Sequence, residues 1–301
     1  MNIGEMTTKM GEGHGFIAAL DQSGGSTPKA LKGYGLDESA WSNEAEMFDL
    51  IHQMRVRIVT APSFTGDKVL AAILFERTMD GMADGKPVPA LLHDRGVVPF
   101  LKIDKGLEEE ANGVQLMKPI PGLDELLARA KSLGVFGTKE RAVVNLANRE
   151  GIAAIVAQQV AIGQQVLAAG LVPMLEPEVN IRSAERAEAE TILRDELLKA
   201  LDAMPGTEQV MLKLSLPTTP DLNLPLVNHP RVLRVVALSG GYGRAEACQE
   251  LARNHGVIAS FSRALLDGLR ADMDDTAFDG ELGQAIDEIY TASVEKTPAA
   301  A

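Results

Sequence analysis

Hydrophobic positions along the chain form short runs that alternate with longer amphipathic segments. In the run VMLKLSLP at residues 210–217, Leu212 and Leu214 share one face of an extended chain, and Met211 and Lys213 share the other. This period of two predicts a strand. Eight segments are predicted to be strands, and they span residues 16–21, 69–75, 97–103, 135–138, 171–176, 210–216, 233–238 and 257–261.

Segments with the period of a helix lie between these strands. They span residues 40–57, 121–133, 150–169, 183–203, 244–255 and 279–293. The stretch RVRIVTAP at residues 55–62 is an alternative candidate for the second strand, but we interpret it as the end of a helix. Because parallel strands need crossover connections, strand–helix alternation along the whole chain predicts parallel pairing.

The number of strand–helix units indicates the architecture. About eight units in 301 residues favour an α/β fold of the (β/α)8 TIM-barrel type over an open doubly wound sheet. No GxGxxG follows the first strand, which weakens the dinucleotide-binding alternative. No linker or low-complexity tract divides the chain, so we expect a single domain over residues 1–301 with a mobile C-terminal tail from about residue 294.

Composition narrows the possible partners. The net charge of −13 argues against nucleic acid or an anionic membrane surface as the main partner. Cys248 is the only cysteine, which fits a reducing compartment. No signal-peptide pattern and no run of 18 apolar residues is present, so we expect a cytoplasmic protein without a membrane span. The sequence shows no heptad pattern and no obvious exposed apolar stripe, so it leaves the oligomeric state open between a monomer and a homo-oligomer.

Polar residues collect at the ends of the predicted strands, where barrel enzymes place their catalytic groups. Each has a simpler explanation alone, because an acid often caps a helix, a buried lysine often extends its amine to water, and Ser-Gly-Gly is often a turn. Their accumulation favours an active site. The residues are Asp21, Lys102, Asp104, Lys139, Arg141, Glu176, Glu178, Lys213, Ser239, Gly240, Gly241 and Arg263.

Lys213 is the candidate nucleophile of this set. Burial and neighbouring cations disfavour an ammonium ion, and a neutral lysine amine attacks carbonyl carbon to give a Schiff base. Glu176, Glu178 and Asp21 are candidates for proton transfer. In barrels the loops after strands seven and eight commonly bind phosphate, which directs attention to Ser239–Gly240–Gly241 and Arg263. This combination predicts a Schiff-base lyase that acts on a phosphorylated ketone.

A metal-dependent mechanism has little support in the sequence. The five histidines show neither HxH nor HExxH spacing, so we interpret them as structural or surface residues and predict no metal and no cofactor. Cys248 lies in a helical pattern and is interpreted as a core residue.

Seven segments between about residues 10 and 270 carry a more specific signal. They are, in chain order, IAALDQSGGSTPKAL, AAILFERTM, GVVPFLKIDKG, LVPMLEPEV, VMLKLSLP, ALSGG and SFSRAL. With these motifs the chain resembles the class I fructose-bisphosphate aldolases in their shorter bacterial form.

The resemblance implies a role for each candidate residue. Lys213 forms the Schiff base, Glu176 is the general acid and base for imine formation, and Asp21 handles the proton of the C4 hydroxyl. Lys139 is the active-site cation, and Glu178 is its neighbouring acid. The phosphate nearer the ketone is expected at Ser239, Gly240, Gly241 and Arg263, and the distal phosphate at Ser23, Ser26, Lys102 and Arg141.

The chain also departs from the family pattern. Gln22 stands where many members have a glutamate, and Ala30 replaces an arginine that usually follows the lysine of this loop. The common Ser-Tyr-Gly-Arg is Ser260-Phe261-Ser262-Arg263 here. The C-terminal tyrosine role of the vertebrate enzymes is not carried over to Tyr290, which lies 11 positions from the end.

Three functional hypotheses follow. The first is a metal-independent, reversible cleavage of fructose 1,6-bisphosphate to dihydroxyacetone phosphate and glyceraldehyde 3-phosphate, as in glycolysis and gluconeogenesis. The second is a Schiff-base barrel aldolase for a related sugar phosphate such as tagatose 1,6-bisphosphate. The third is an inactive barrel used as a binding protein, against which the presence of Lys213, Glu176, Asp21 and Lys139 together argues.

Overall fold

Eight parallel strands form a closed barrel in the structure, which is a computed structural model that describes residues 1–298. Each strand pairs with the next along the chain, and β8 pairs with β1 to close the sheet. The strands are β1 (Phe16–Leu20), β2 (Val69–Leu74), β3 (Val98–Lys102), β4 (Gly137–Val144), β5 (Val172–Val179), β6 (Val210–Ser215), β7 (Val232–Leu238) and β8 (Val257–Phe261). The predicted TIM-barrel architecture is confirmed.

Helices surround the barrel. They are α1 (Ile3–Glu12), α2 (Ser26–Gly33), α3 (Glu44–Thr60), α4 (Glu76–Met79), α5 (Val88–Asp94), α6 (Leu123–Ser132), α7 (Arg149–Ala168), α8 (Arg186–Ala203), α9 (Leu224–Val227), α10 (Arg244–Ala252), α11 (Arg263–Leu266) and α12 (Asp275–Val294). A 3₁₀ helix covers Glu38–Ala40, a small hairpin joins Met82–Ala83 to Lys86–Pro87, and Val114–Gln115 pairs antiparallel with β4. All six predicted helices overlap observed ones.

The fourth strand differs most from its prediction. We expected it to end at residue 138, with Lys139 and Arg141 after it, whereas β4 continues to Val144 and pairs with β5 along its whole length. Lys139 and Arg141 therefore lie inside the strand and share one face. The run Lys139–Glu140–Arg141 does not have the composition of a strand, because strands of a buried parallel sheet are usually apolar. Glu176 and Glu178 on neighbouring β5 form ion pairs with Lys139 and Arg141 and make this charged strand possible.

The lower half of the barrel interior, at the amino ends of the strands, is apolar. Its side chains belong to one buried cluster that includes Ile17, Phe100, Met174 and Met211. Gly137 makes room for this packing, because a Cβ there would lie only 2.7 Å from Cε1 of Phe100 and would also meet the carbonyl of Val172. A glycine on β4 thus lets a phenylalanine fill the barrel centre.

The base of the barrel is closed by α1, which the sequence patterns did not predict. Its first turn is stabilised by a capping box, in which Asn2 and Glu5 each accept a hydrogen bond from the other's backbone N–H. Met6 and Met10 bury their side chains in the lower barrel cluster. Arg234 of β7 donates to the carbonyls of Met10 and Gly13, at 2.9 and 2.8 Å, and so fixes the end of the helix.

Two further expectations concern α7 and the C-terminus. By length and composition α7 could span a membrane, but in the structure it packs against β4, β5 and α8. The expected tail from about residue 294 lies partly outside the described residues. Within them, Lys296 donates to the carbonyls of Leu251, Val257 and Ala292.

Candidate active site

A cavity of about 680 Å³ opens at the carboxyl ends of the barrel strands. A volume of this size is typical of sites for small molecules. All thirteen residues to which the resemblance assigns a role lie on its wall, as does Asp104, and the thirteen are Asp21, Ser23, Ser26, Lys102, Lys139, Arg141, Glu176, Glu178, Lys213, Ser239, Gly240, Gly241 and Arg263. They come from seven different strands or the loops that follow them, so only the closed barrel brings them together.

Two lysines and two carboxylates form a chain of ion pairs at the centre of this cavity. Nζ of Lys139 lies 2.6 Å from Oδ2 of Asp21 and 2.8 Å from Oε2 of Glu176. Nζ of Lys213 lies 3.1 Å from Oε1 of Glu176. All four residues are buried, with between 3% and 8% of their surface exposed. Each charge is therefore compensated by a neighbour on another strand, as buried charges must be.

The ion pairs determine the protonation of the carboxyl groups. Burial by itself raises the pKa of Asp21, but the attraction of Lys139 and then Lys213 outweighs it and holds that pKa well below its ordinary value. The same balance of burial against Lys139 and Lys213 lowers the pKa of Glu176. Burial opposes the charge of Lys139, but Asp21 and Glu176 raise its pKa. Both carboxyl groups are therefore carboxylates at neutral pH and can accept a proton.

A second set of charges lies on β3, β4 and β5. Nζ of Lys102 lies 2.7 Å from Oδ1 of Asp104, and Nε of Arg141 donates to Oε2 of Glu178. Burial opposes the charge of Arg141, but Glu178 raises its pKa above the ordinary value. Glu178 was predicted as the acid that neighbours Lys139, and in the structure it forms its ion pair with Arg141.

The loops after β7 and β8 form the opposite end of the cavity. Gly240 and Gly241 have φ angles of +60° and +116°, which favour glycine and open the backbone after Ser239. The guanidinium of Arg263 follows β8 at this end. Within residues 1–298 it makes no hydrogen bond or ion pair with a side chain or backbone group, unlike Lys102 and Arg141.

Ser23 and Ser26 lie at the start of α2, on the rim of the cavity. The backbone N–H of Ser23 donates to Oγ of Ser26 at 2.9 Å, and that hydroxyl donates to the Ser23 carbonyl at 2.7 Å. The two serines therefore stabilise a turn, and Gly24 within it has a φ of +50°.

Two residues of the site were not recognised as functional candidates from the sequence. Arg55 of α3 is 1% exposed and donates hydrogen bonds to Gln22 and to Thr78. Burial lowers the pKa of Arg55 to about 10, although Asp21 opposes this shift. Arg55 lies in the stretch interpreted as a helix end, and nothing in its local pattern marks it as buried. Gln22 was noted only as a departure, and it bridges two loops of the site.

None of the five histidines is among the residues that line the cavity. His52 and His93 contact the carbonyls of Met82 and Gly134, and His255 contacts Asp221. Among residues 1–298, no three His, Cys, Asp or Glu side chains are grouped so that they could hold a metal ion. Cys248 is only partly buried, and burial raises the pKa of its thiol to about 11.

Comparison with known proteins agrees with this geometry. Residues 3–217 match the family model described as class-I fructose-bisphosphate aldolase, which is more than two thirds of the chain. The fold is similar to that of fructose-bisphosphate aldolase from Plasmodium falciparum, solved with TRAP and a small-molecule inhibitor, with a TM-score of 0.78 at 21% identity over 98% of this chain and 96% of that one. A structural-genomics protein from Corynebacterium glutamicum matches more weakly, with a TM-score of 0.54 at 14% identity over 96% and 92% of the two chains.

Proposed function

The chain belongs to the class I fructose-bisphosphate aldolase family, and we propose that it is a metal-independent lyase that cleaves fructose 1,6-bisphosphate through a Schiff base on Lys213. The observation that carries this proposal is the buried contact of 3.1 Å between Nζ of Lys213 and Oε1 of Glu176, inside a cavity with cationic groups at both ends.

The first step is imine formation. Glu176, as a carboxylate, takes the proton that Lys213 must lose before its amine attacks the C2 carbonyl. Glu176 then returns a proton to the hydroxyl of the carbinolamine, which leaves as water. Lys139 contacts the other oxygen of Glu176, so it stabilises the carboxylate whenever the proton is elsewhere.

Carbon–carbon cleavage follows from the protonated imine, which accepts electrons. Asp21, held as a carboxylate by Lys139, takes the proton of the C4 hydroxyl while the C3–C4 bond breaks and its electron pair moves into an enamine on Lys213. Glyceraldehyde 3-phosphate leaves as the aldehyde. Protonation of the enamine at C3 and hydrolysis of the imine release dihydroxyacetone phosphate and consume the water released earlier.

The charges at the two ends of the cavity support a bisphosphate substrate. Arg263 and the glycine loop after β7 lie near one end, and Lys102 and Arg141 lie on β3 and β4. β4 and β8 are opposite each other in an eight-stranded barrel, and β6 with Lys213 stands midway between them. This arrangement supports a substrate that is a ketose with a phosphate at each end and its carbonyl at Lys213.

A second candidate substrate is tagatose 1,6-bisphosphate. It carries the same two phosphates and differs from the fructose ester only in configuration at C4, the carbon whose hydroxyl Asp21 is proposed to deprotonate. Comparing kcat/KM for the two bisphosphates decides between them, and we expect a preference for the fructose ester.

Borohydride reduction tests the Schiff base directly. Incubation with dihydroxyacetone phosphate and borohydride is expected to inactivate the protein and to add the mass of the reduced adduct to the peptide that contains Lys213. A parallel incubation with EDTA is expected to leave activity unchanged. Labelling at another lysine, no labelling, or loss of activity in EDTA would refute the proposal.

We further propose a cytoplasmic location, in keeping with glycolysis or gluconeogenesis. The single cysteine, which fits a reducing compartment, supports this placement. Fractionation of cells followed by immunodetection tests it.

A further inference from the structure

Gln22 connects the loop after β1 to the loop after β8. Its Nε2 donates to the carbonyl of Ala19 at 3.1 Å and to Oγ of Ser262 at 2.6 Å. Its Oε1 accepts a hydrogen bond from Nη2 of Arg55 at 3.2 Å. Gln22 is only 9% exposed, and both Gln22 and Ser262 lie on the wall of the cavity.

The orientation of the Gln22 amide is determined by its partners. A guanidinium can only donate, so the group that faces Arg55 must be the amide oxygen. The carbonyl of Ala19 can only accept, so the group that faces it must be the amide nitrogen. Arg55 is itself held by Thr78 at 2.8 Å and by the backbone carbonyl of Gln22. The hydrogen bonds with Ala19 and Arg55 thus orient the amide nitrogen of Gln22 towards Ser262.

Because of this contact, the hydroxyl of Ser262 has its proton available to donate. Because its oxygen accepts from Gln22, its proton must be donated elsewhere, and no protein group within residues 1–298 accepts it. Ser262 directly precedes Arg263, whose guanidinium also lacks a partner there and extends towards Gly241. An unused hydroxyl donor and an unused guanidinium therefore belong to consecutive residues that both line the cavity.

We propose that Ser262 donates a hydrogen bond to the phosphate bound at Arg263, and that Gln22 is the positioning residue that holds the hydroxyl in its donating state. The proposal rests on the proposed function and adds to it two residues through which this chain recognises the phosphate nearer the ketone. An amide at position 22 is essential to it. A carboxylate there would accept the Ser262 proton, would repel the phosphate, and would face the Ala19 carbonyl without a proton between the two oxygens.

Ser262→Ala tests the hydrogen bond. We expect the dissociation constant of glycerol 3-phosphate, a phosphate ester without a ketone, to rise about tenfold in calorimetric titration, since a hydrogen bond to a charged group contributes that much. KM for the bisphosphate is expected to rise by a similar factor with kcat nearly unchanged. Imine trapping with unphosphorylated dihydroxyacetone is expected to be unchanged, because it has no phosphate.

A double-mutant cycle with Gln22→Met tests the positioning. Methionine keeps the length of the side chain and removes all three hydrogen bonds of the amide, while Arg55 keeps Thr78 and the backbone carbonyl of residue 22. We expect Gln22→Met to weaken phosphate-ester binding in the parent protein and to add little in the Ser262→Ala background. If the double variant raises the dissociation constant by the product of the two single factors, the two residues act independently. That result would mean that Gln22 acts only through the fold and would overturn its positioning role.

Gln22→Glu sharpens the test, with Gln249→Glu on the exposed face of α10 as the matched control. We expect Gln22→Glu to weaken phosphate-ester binding by more than Ser262→Ala does, and the control to leave it unchanged. An unchanged dissociation constant in Ser262→Ala would overturn the proposal. If the parent protein forms no imine but Ser262→Ala still weakens glycerol 3-phosphate binding, the proposed function fails and this inference stands.

Discussion

The two halves of the barrel interior differ in chemistry although the same strands line both. On β6, Met211 lies in the lower apolar cluster, and Lys213, two residues further on the same face, lies among the ion pairs of the upper half. β5 repeats the change from Met174 to Glu176, and β3 repeats it from Phe100 to Lys102. The lower half therefore stabilises the barrel by packing, and the upper half holds the paired charges that line the cavity.

A comparison within β4 shows what this arrangement requires. Its inward-facing Lys139 and Arg141 have carboxylate partners, whereas Glu140 between them points outward and is fully buried. Among residues 1–298, no group forms a hydrogen bond with either of its carboxylate oxygens. The side-chain amide of Gln159 on α7 donates to the backbone carbonyl of Glu140 rather than to its carboxyl group. Burial, and then repulsion by Asp104, raise the pKa of Glu140 well above its ordinary value. Ion pairs thus stabilise the buried charges on the inward face of β4, whereas protonation removes the charge of the buried Glu140 on the outward face.

The largest expected effect comes from making the upper half of β6 resemble the lower half. Lys213→Met is expected to reduce kcat/KM by more than about 10⁴-fold, because the nucleophile is removed. The melting temperature should change little, since Glu176 keeps Lys139 as a partner. Lys199→Met, at a side chain that is 80% exposed, is the control and should retain full activity. Residual activity within 100-fold of the parent would contradict the assignment.

Removing the central cation of the upper half is the next largest change. Lys139→Met leaves Asp21 and Glu176 without their shared partner, and we expect the free energy of unfolding to fall by about 3–5 kcal/mol at pH 7. In the parent protein both carboxyl pKa values are lowered, so these groups stabilise the fold above their unfolded pKa values and lose that contribution as pH falls through the folded ones.

The stability difference between the parent and Lys139→Met should therefore shrink as the pH is lowered below about 4. Urea unfolding between pH 3.5 and 8 measures it. A difference that does not depend on pH would show that lost packing, rather than unpaired charge, causes the destabilisation.

Truncation in the lower half should affect stability but not chemistry. Met211→Ala removes a fully buried side chain, and we expect the free energy of unfolding to fall by about 2–4 kcal/mol. The kcat/KM at a temperature where the variant is folded should stay within a few-fold of the parent. A large loss of activity in fully folded Met211→Ala would show that the two halves are not separable in function.

The smallest expected effect comes from the outer face of β4. The raised pKa of Glu140 means that the native protein binds a proton that the unfolded chain releases, so stability falls as pH rises above the unfolded pKa. Glu140→Gln removes this penalty, and we expect a gain of about 1.4 kcal/mol one pH unit above the ordinary glutamate value. Exposed Glu188→Gln on α8 is the control. Equal stability of parent and Glu140→Gln from pH 4 to 8 would contradict the buried, protonated state.

Local pattern was enough to predict most of the fold. Side-chain direction along a strand alternates with a fixed period, so the sequence indicated that Lys213 faces away from Leu212 and Leu214, and it located seven strands within a few residues. The same rule failed at β4, because Lys139, Glu140 and Arg141 carry no local sign of the partners that bury them. The sequence patterns also missed α1, because it has few apolar residues. Met6 and Met10 are buried only because the helix packs against the base of the barrel.

What the sequence by itself determined is the inventory of the site: which strands carry an amine, a carboxylate or a guanidinium near their carboxyl ends. Only the tertiary structure decided the partners, pairing Glu178 with Arg141, Lys139 with both Asp21 and Glu176, and Gln22 with Ser262 across 240 positions. The physical reason is that the face of a strand to which a side chain points depends only on its position along that strand, relative to the residues next to it in the sequence. A contact of about 3 Å between strands instead depends on register and on closure of the whole barrel.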